Sequence, residues 1–115
     1  NNTSIYSLIN TSNESLSNLI RGPYSLGSLF ENNSFTALPS VSSPSPEGMR
    51  YFSGGHNTFL YGTNRNFDFN AIQLEFPFPD LRDTPQSRNT FSSSFVNIIK
   101  EYIQTHTGID ILTVD

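Results

Sequence analysis

The sequence predicts an α/β fold, a layered mixed sheet flanked by helices, and three observations predict it. "NAIQLEF" alternates apolar and polar residues with period two, the mark of a strand. From Asn89 onward Phe91, Phe95, Ile98, Ile99, Tyr102 and Ile103 recur at helical spacing. Shorter helix and strand signals lie on either side of these two, and elements that alternate in this way pack as layers.

In chain order, residues 1–21 form a polar N-terminal segment with a short helix, and residues 22–115 carry the α/β part. In "SNESLSNLIRGP", Ser12 or Asn13 can cap a helix with Leu16, Leu19 and Ile20 on one face, and Gly22-Pro23 stops it. "YSLGSLFENN" repeats the pattern with Leu26, Leu29 and Phe30, and Asn32 or Asn33 suits its C-terminal cap. "SFTALPS" reads as a short strand, and Pro39 to Gly48 as a proline- and serine-rich loop. In "NAIQLEF", Ile72, Leu74 and Phe76 share one face while Ala71, Gln73 and Glu75 share the other; Pro77 and Pro79 end the run. Asn89 or Thr90 caps the long helix and Gly108 closes it, after which "IDILTV" is a terminal strand.

Composition narrows the functional classes. The chain has 115 residues, 35% of them hydrophobic, with ten Phe, five Tyr and a net charge of −4. One domain with a modest core fits that length. Six basic residues, Lys100 the only lysine among them, form no stripe to track phosphates, so nucleic acid is not an expected partner. No stretch is long and apolar enough to span a membrane. With no cysteine, disulfides and thiolate-bound zinc are excluded together. Five Asn-x-Ser/Thr sequons, at Asn1, Asn2, Asn10, Asn13 and Asn32, point to a secreted glycoprotein, or to chance in a chain so rich in Asn and Ser. The first residues have no signal-peptide pattern, as in a processed chain.

For chemistry, Glu75 stands out as the one carboxylate on a clear strand, where a partly desolvated glutamate can act as a general base. Facing water is the plainer role for it. Gly54-Gly55 permits unusual backbone angles or close approach to a ligand, and an ordinary turn does too. His56 and His106 stand fifty positions apart and form no metal-binding pair. His106 falls in the last helical turn, where a cation suits the helix dipole. Arg82 and Arg88 can clamp a carboxylate or pair with Asp80 and Asp83, and Arg65 has a similar choice with Asp68. Seventeen serines leave a catalytic triad open, but no one of them is marked by its neighbours.

"YFSGGHNTFLYG" followed by "NAIQLEFPFPDLR" resembles the C-terminal portion of N-formylglutamate amidohydrolase-like proteins, relatives of the zinc carboxypeptidases. The resemblance covers roughly residues 22–106, with "YSLGSLFENNSFTALPS" and the helix from Asn89 in matching order. It implies the C-terminal half of a phosphorylase/hydrolase-like fold, completed by a second chain from the same precursor. By that resemblance Glu75 is the general base toward a zinc-bound water, acting on an amide of a small acidic or peptide-like substrate. Gly54, Gly55, His56, Tyr61 and Gly62 would shape the pocket and Arg82 would contact substrate. The family's zinc ligands lie upstream of the matched region, so zinc would be held by the partner chain. The alternative is a secreted, non-catalytic binding or assembly protein built on the same scaffold.

Overall fold

The computed structural model describes residues 3–50, 54–62 and 69–111. After a short 3-10 turn at Tyr6–Asn10 come four helices: α1 (Leu16–Arg21), α2 (Leu26–Asn32), α3 (His56–Tyr61) and α4 (Pro85–Thr107). No strand occurs among the described residues, so the expected layered α/β sheet gives way to helix-on-helix packing. α2 lies against α4, and α1 against both α2 and the 3-10 turn.

Helix ends follow from small polar residues. Ser15, Ser25 and Thr84 each accept the third residue's N–H through a side-chain oxygen, a contact that stabilises a helix start by about 1 kcal/mol. The first cap therefore sits at Ser15, beyond Ser12 and Asn13. α4 begins at Pro85, four residues before Asn89, because Thr84 and Ser87 form a reciprocal capping box and proline suits the first turn. Gly108 ends α4 as expected, with φ 74°. α2 has Asn33 as its C-cap, one of the two asparagines expected in that left-handed position, but φ there is −102°, and Ser34 takes the left-handed angle instead, with φ 69°.

The core joins Ile5, Leu8, Leu19, Leu29 and Phe30 to Ile98 and Tyr102 of α4. Beside it lies an aromatic cluster in which Phe30 stacks on Phe91 and Phe95, and Phe35 meets Phe91 edge-on at 5.3 Å. Phe35 belongs to the supposed first strand. Its backbone accepts no ladder; the chain bends from Leu38 and Pro39 onward, and the ring packs against helices instead. Two strands are the minimum for a sheet, and among the described residues the run "NAIQLEF" has no strand to pair with.

The stretch 69–77 that holds this run continues without helix, turn or bend, as extended chain. Within it the Ala71 N–H donates to the Ser4 carbonyl at 3.1 Å, and the Ala71 carbonyl accepts from Ser4 Oγ. Phe76 anchors the far end, with ring centroids 4.8 Å from Phe91 and 5.9 Å from Phe95. Of the expected terminal strand, Ile109 and Asp110 are irregular, Ile111 is in a turn, and the rest lies outside the described residues.

Candidate functional site

Glu75 is exposed, and its Oε1 accepts a hydrogen bond from Gln73 Nε2 at 2.7 Å. Gln73 in turn lies against Gly55, where an added Cβ would fall 2.5 Å from Gln73 Oε1. The structure thus brings together Gly55 and Glu75, through Gln73. Gly54 has φ 78°, a left-handed angle that glycine adopts without strain, and this turn opens α3.

The double glycine therefore starts a helix that periodicity over six residues is too short to reveal. α3 buries none of its residues: His56 is exposed at its first position, Leu60 and Tyr61 are 38% and 59% exposed, and Gly62 caps its end. Among the described residues Arg82 makes no ion pair. Its Nε donates to the Pro77 carbonyl at 3.3 Å, and its guanidinium lies 5.8 Å from the Phe78 ring centre. Arg88 donates to the Arg82 carbonyl, while Asp83 accepts from Ser87 and from the Asp80 N–H. Those hydroxyl and amide donors hold the Asp83 carboxyl below its ordinary value. The one ion pair among the described residues joins Lys100 and Asp110 at 3.8 Å. Tyr51, Phe52, Arg65 and Asp68 lie outside the described residues, as do Asn1 and Asn2; Asn10, Asn13 and Asn32 are exposed.

His106 is the residue whose role sequence reading missed. It is fully buried, with Nε2 2.7 Å from the Tyr24 carbonyl oxygen and Nδ1 2.8 Å from Ser12 Oγ. A carbonyl only accepts, so Nε2 carries the proton. The signal was present in the sequence: His106 continues the stripe of Phe91, Phe95, Ile98 and Tyr102, four residues beyond the last of them. Its ring meets Tyr102 edge-on at 4.7 Å. Burial pushes the Tyr102 phenol up to about 12, and its Oη has no hydrogen-bond partner among the described residues.

A serine hydroxyl beside an imidazole suggests a nucleophile and its base. Here the third position is a neutral carbonyl in place of a carboxylate, the imidazole has no solvent exposure, and Ser12 Oγ already accepts the Glu14 N–H at 3.3 Å. The arrangement ties the loop before α1 and the turn before α2 to the end of α4.

Concavities lie elsewhere, around Glu31. A shallow depression of about 330 Å³ is lined by Glu31, Ser34, Phe35, Thr36, Ser42 and Ser43. Ser40 Oγ donates to Glu31 Oε1 at 2.7 Å and Ser42 Oγ donates to the same oxygen, which holds the Glu31 carboxyl below its ordinary value. These bonds dock the proline- and serine-rich loop onto α2. Among the described residues no group of three His, Asp or Glu could hold a metal ion, and no helix is long and apolar enough to cross a membrane.

The open strip is the feature that the core does not absorb. Among the described residues the backbone from Ile72 to Phe76 makes no hydrogen bond, while Ala71 uses both of its backbone groups. Ile72 and Phe78 are 43% and 60% exposed, and the start of α3 adjoins at Gln73. No family model, no curated protein and no solved structure matches this chain.

Proposed function

We propose that this chain is a non-catalytic binding and assembly component, which docks another polypeptide along residues 72–78 and the adjoining helix α3. The unpaired backbone of Ile72–Phe76 carries this reading. An extended run with free N–H and C=O groups is a template for pairing, and proteins usually cover or blunt such an edge. Exposed Leu60, Tyr61, Ile72 and Phe78 give the strip the aromatic and aliphatic anchors of a contact surface.

Among the described residues the groups considered for the competing hydrolase reading are otherwise engaged. Glu75 is solvated and paired with Gln73, and Ser12 and His106 are spent on holding helices together. The test compares the native mass of the purified protein with its chain mass, for the wild type and for Ile72→Asp/Phe78→Ser. The wild type is expected to form a particle larger than the 12.9 kDa chain, and the variant to keep its helical circular dichroism while losing that assembly. A wild-type particle of one chain overturns the reading.

A further inference from the structure

We infer that Ser43 is a phosphorylation site of the proline-directed type, and that its phosphate unlatches the strap of residues 39–43 from α2. This site stands apart from the docking strip and does not depend on it.

The strap is seated by polar groups on α2. Ser25, Ser28 and Ser40 are all buried. Ser28 Oγ accepts from Ser25 Oγ and from the Val41 N–H, each at 3.0 Å. Gly27 leaves room for the strap's backbone, since an added Cβ would collide with the Pro39 carbonyl. Within the strap, Ser40 and Ser43 close a turn: the Ser40 N–H donates to the Ser43 carbonyl, and the Ser43 N–H to Ser40 Oγ, each at 3.0 Å. Ser40 Oγ and Ser42 Oγ then both donate to Glu31 Oε1, so a single carboxylate holds the strap down.

Three hydroxyl residues stand directly before a proline: Ser43, Ser45 and Thr84. Thr84 Oγ1 is spent on the capping box of α4. Ser45 is exposed and lines neither depression beside Glu31. Ser43 is half-buried, its hydroxyl makes no hydrogen bond among the described residues, and it lines one depression together with Glu31. No Lys, Arg or His lines that depression.

A kinase passes the γ-phosphoryl group of ATP to Ser43 Oγ; the hydroxyl proton goes to the kinase's base and ADP departs. The phosphate carries a charge of about −1.5 to −2 near pH 7. It then shares a depression with a carboxylate, with no cation there to receive it, and such a placement disrupts by repulsion. Because the turn engages the Ser43 backbone, the kinase takes the lifted strap, and the phosphate keeps it lifted.

The test incubates the full chain with a proline-directed kinase and Mg-ATP, maps phosphate by mass spectrometry and follows amide exchange. Phosphate on Ser43 is expected, and Pro44→Ala should abolish it. In Ser45→Ala, which isolates Ser43, the Val41 and Ser43 amides should exchange roughly tenfold faster once phosphorylated, as for the loss of about one net hydrogen bond. In Glu31→Gln the same phosphate should speed them less, because the repelling charge is gone. Modification of Ser45 or Thr84 without Ser43 overturns the site. Phosphorylated Ser43 with unchanged exchange, or with an equal rise in Glu31→Gln, overturns the unlatching.

Discussion

Two regions of this molecule spend similar residues in opposite ways. The body formed by the 3-10 turn, α1, α2 and α4 turns its apolar side chains inward and ties its polar groups to one another, down to a fully buried histidine with both nitrogens engaged. The strip formed by α3 and residues 72–78 leaves Tyr61, Ile72 and Phe78 facing water, and from Ile72 to Phe76 its backbone has no hydrogen bond among the described residues. Aromatic content does not separate the two, since both are rich in aromatic side chains. What separates them is whether a second element lies within reach. α4 finds α2, whereas the strand-like run is held at its ends, at Ala71 by Ser4 and at Phe76 by the ring cluster. A pattern of residues describes the face a segment offers; the rest of the chain decides whether anything meets it.

The sharpest way to break the comparison is at His106. His106→Ala removes a buried ring and leaves the Tyr24 carbonyl and the Ser12 hydroxyl without their partner, with an expected loss of about 3–5 kcal/mol. Urea unfolding monitored by circular dichroism would read it, and a loss below 1 kcal/mol would show that the tie is incidental. Next in size is Phe76→Ala, which cuts the ring contacts joining strip to body. The ring is only partly buried, so about 2–3 kcal/mol is expected, with faster amide exchange concentrated in residues 72–78. Uniform loosening of the whole chain would mean that body and strip are one unit.

The smallest effect belongs to Glu31. Its folded carboxyl titrates below the ordinary value of 4.5 because Ser42 and Ser40 hydroxyls bond the charged form. A lowered folded value means stability that is fully present above the unfolded value and lost as pH falls through the lowered one. Glu31→Gln should therefore lower the melting temperature slightly near neutrality and flatten part of its fall on the acid side of pH 4.5. An unaltered acid slope would show that the loop docks without help from that charge.

Much of the body was legible in the sequence. The stripe of Phe91, Phe95, Ile98 and Tyr102, the pairs in α1 and α2, and the closing Gly108 all follow from helical periodicity and glycine geometry. The start of α4 was less so, because Gln86, Ser87 and Arg88 carry no apolar signal and the capping box involves Thr84, upstream of the periodic run. The sheet was misread for a physical reason. Alternation in "NAIQLEF" is a property of one segment, while a ladder needs two, and Phe35 of the other candidate was claimed by the ring cluster. Of the expected site, Gly55 and Glu75 do lie close together, but Tyr61, His56 and Arg82 face outward without converging on a cavity. His106 escaped because its partners, Ser12 and the Tyr24 carbonyl, are distant in sequence, one of them a backbone atom that no motif records.

That distance has a kinetic meaning. The bonds of His106 to Ser12 and to Tyr24 span 94 and 82 positions, close to the whole length of the chain. Neither can form until α4 has come back to the N-terminal helices, and the entropy of closing such loops must be met first by the apolar contacts between α2 and α4. The histidine tie is then a late contact in folding. It acts as a lock on the finished structure, lengthening the native lifetime without hastening the route to it.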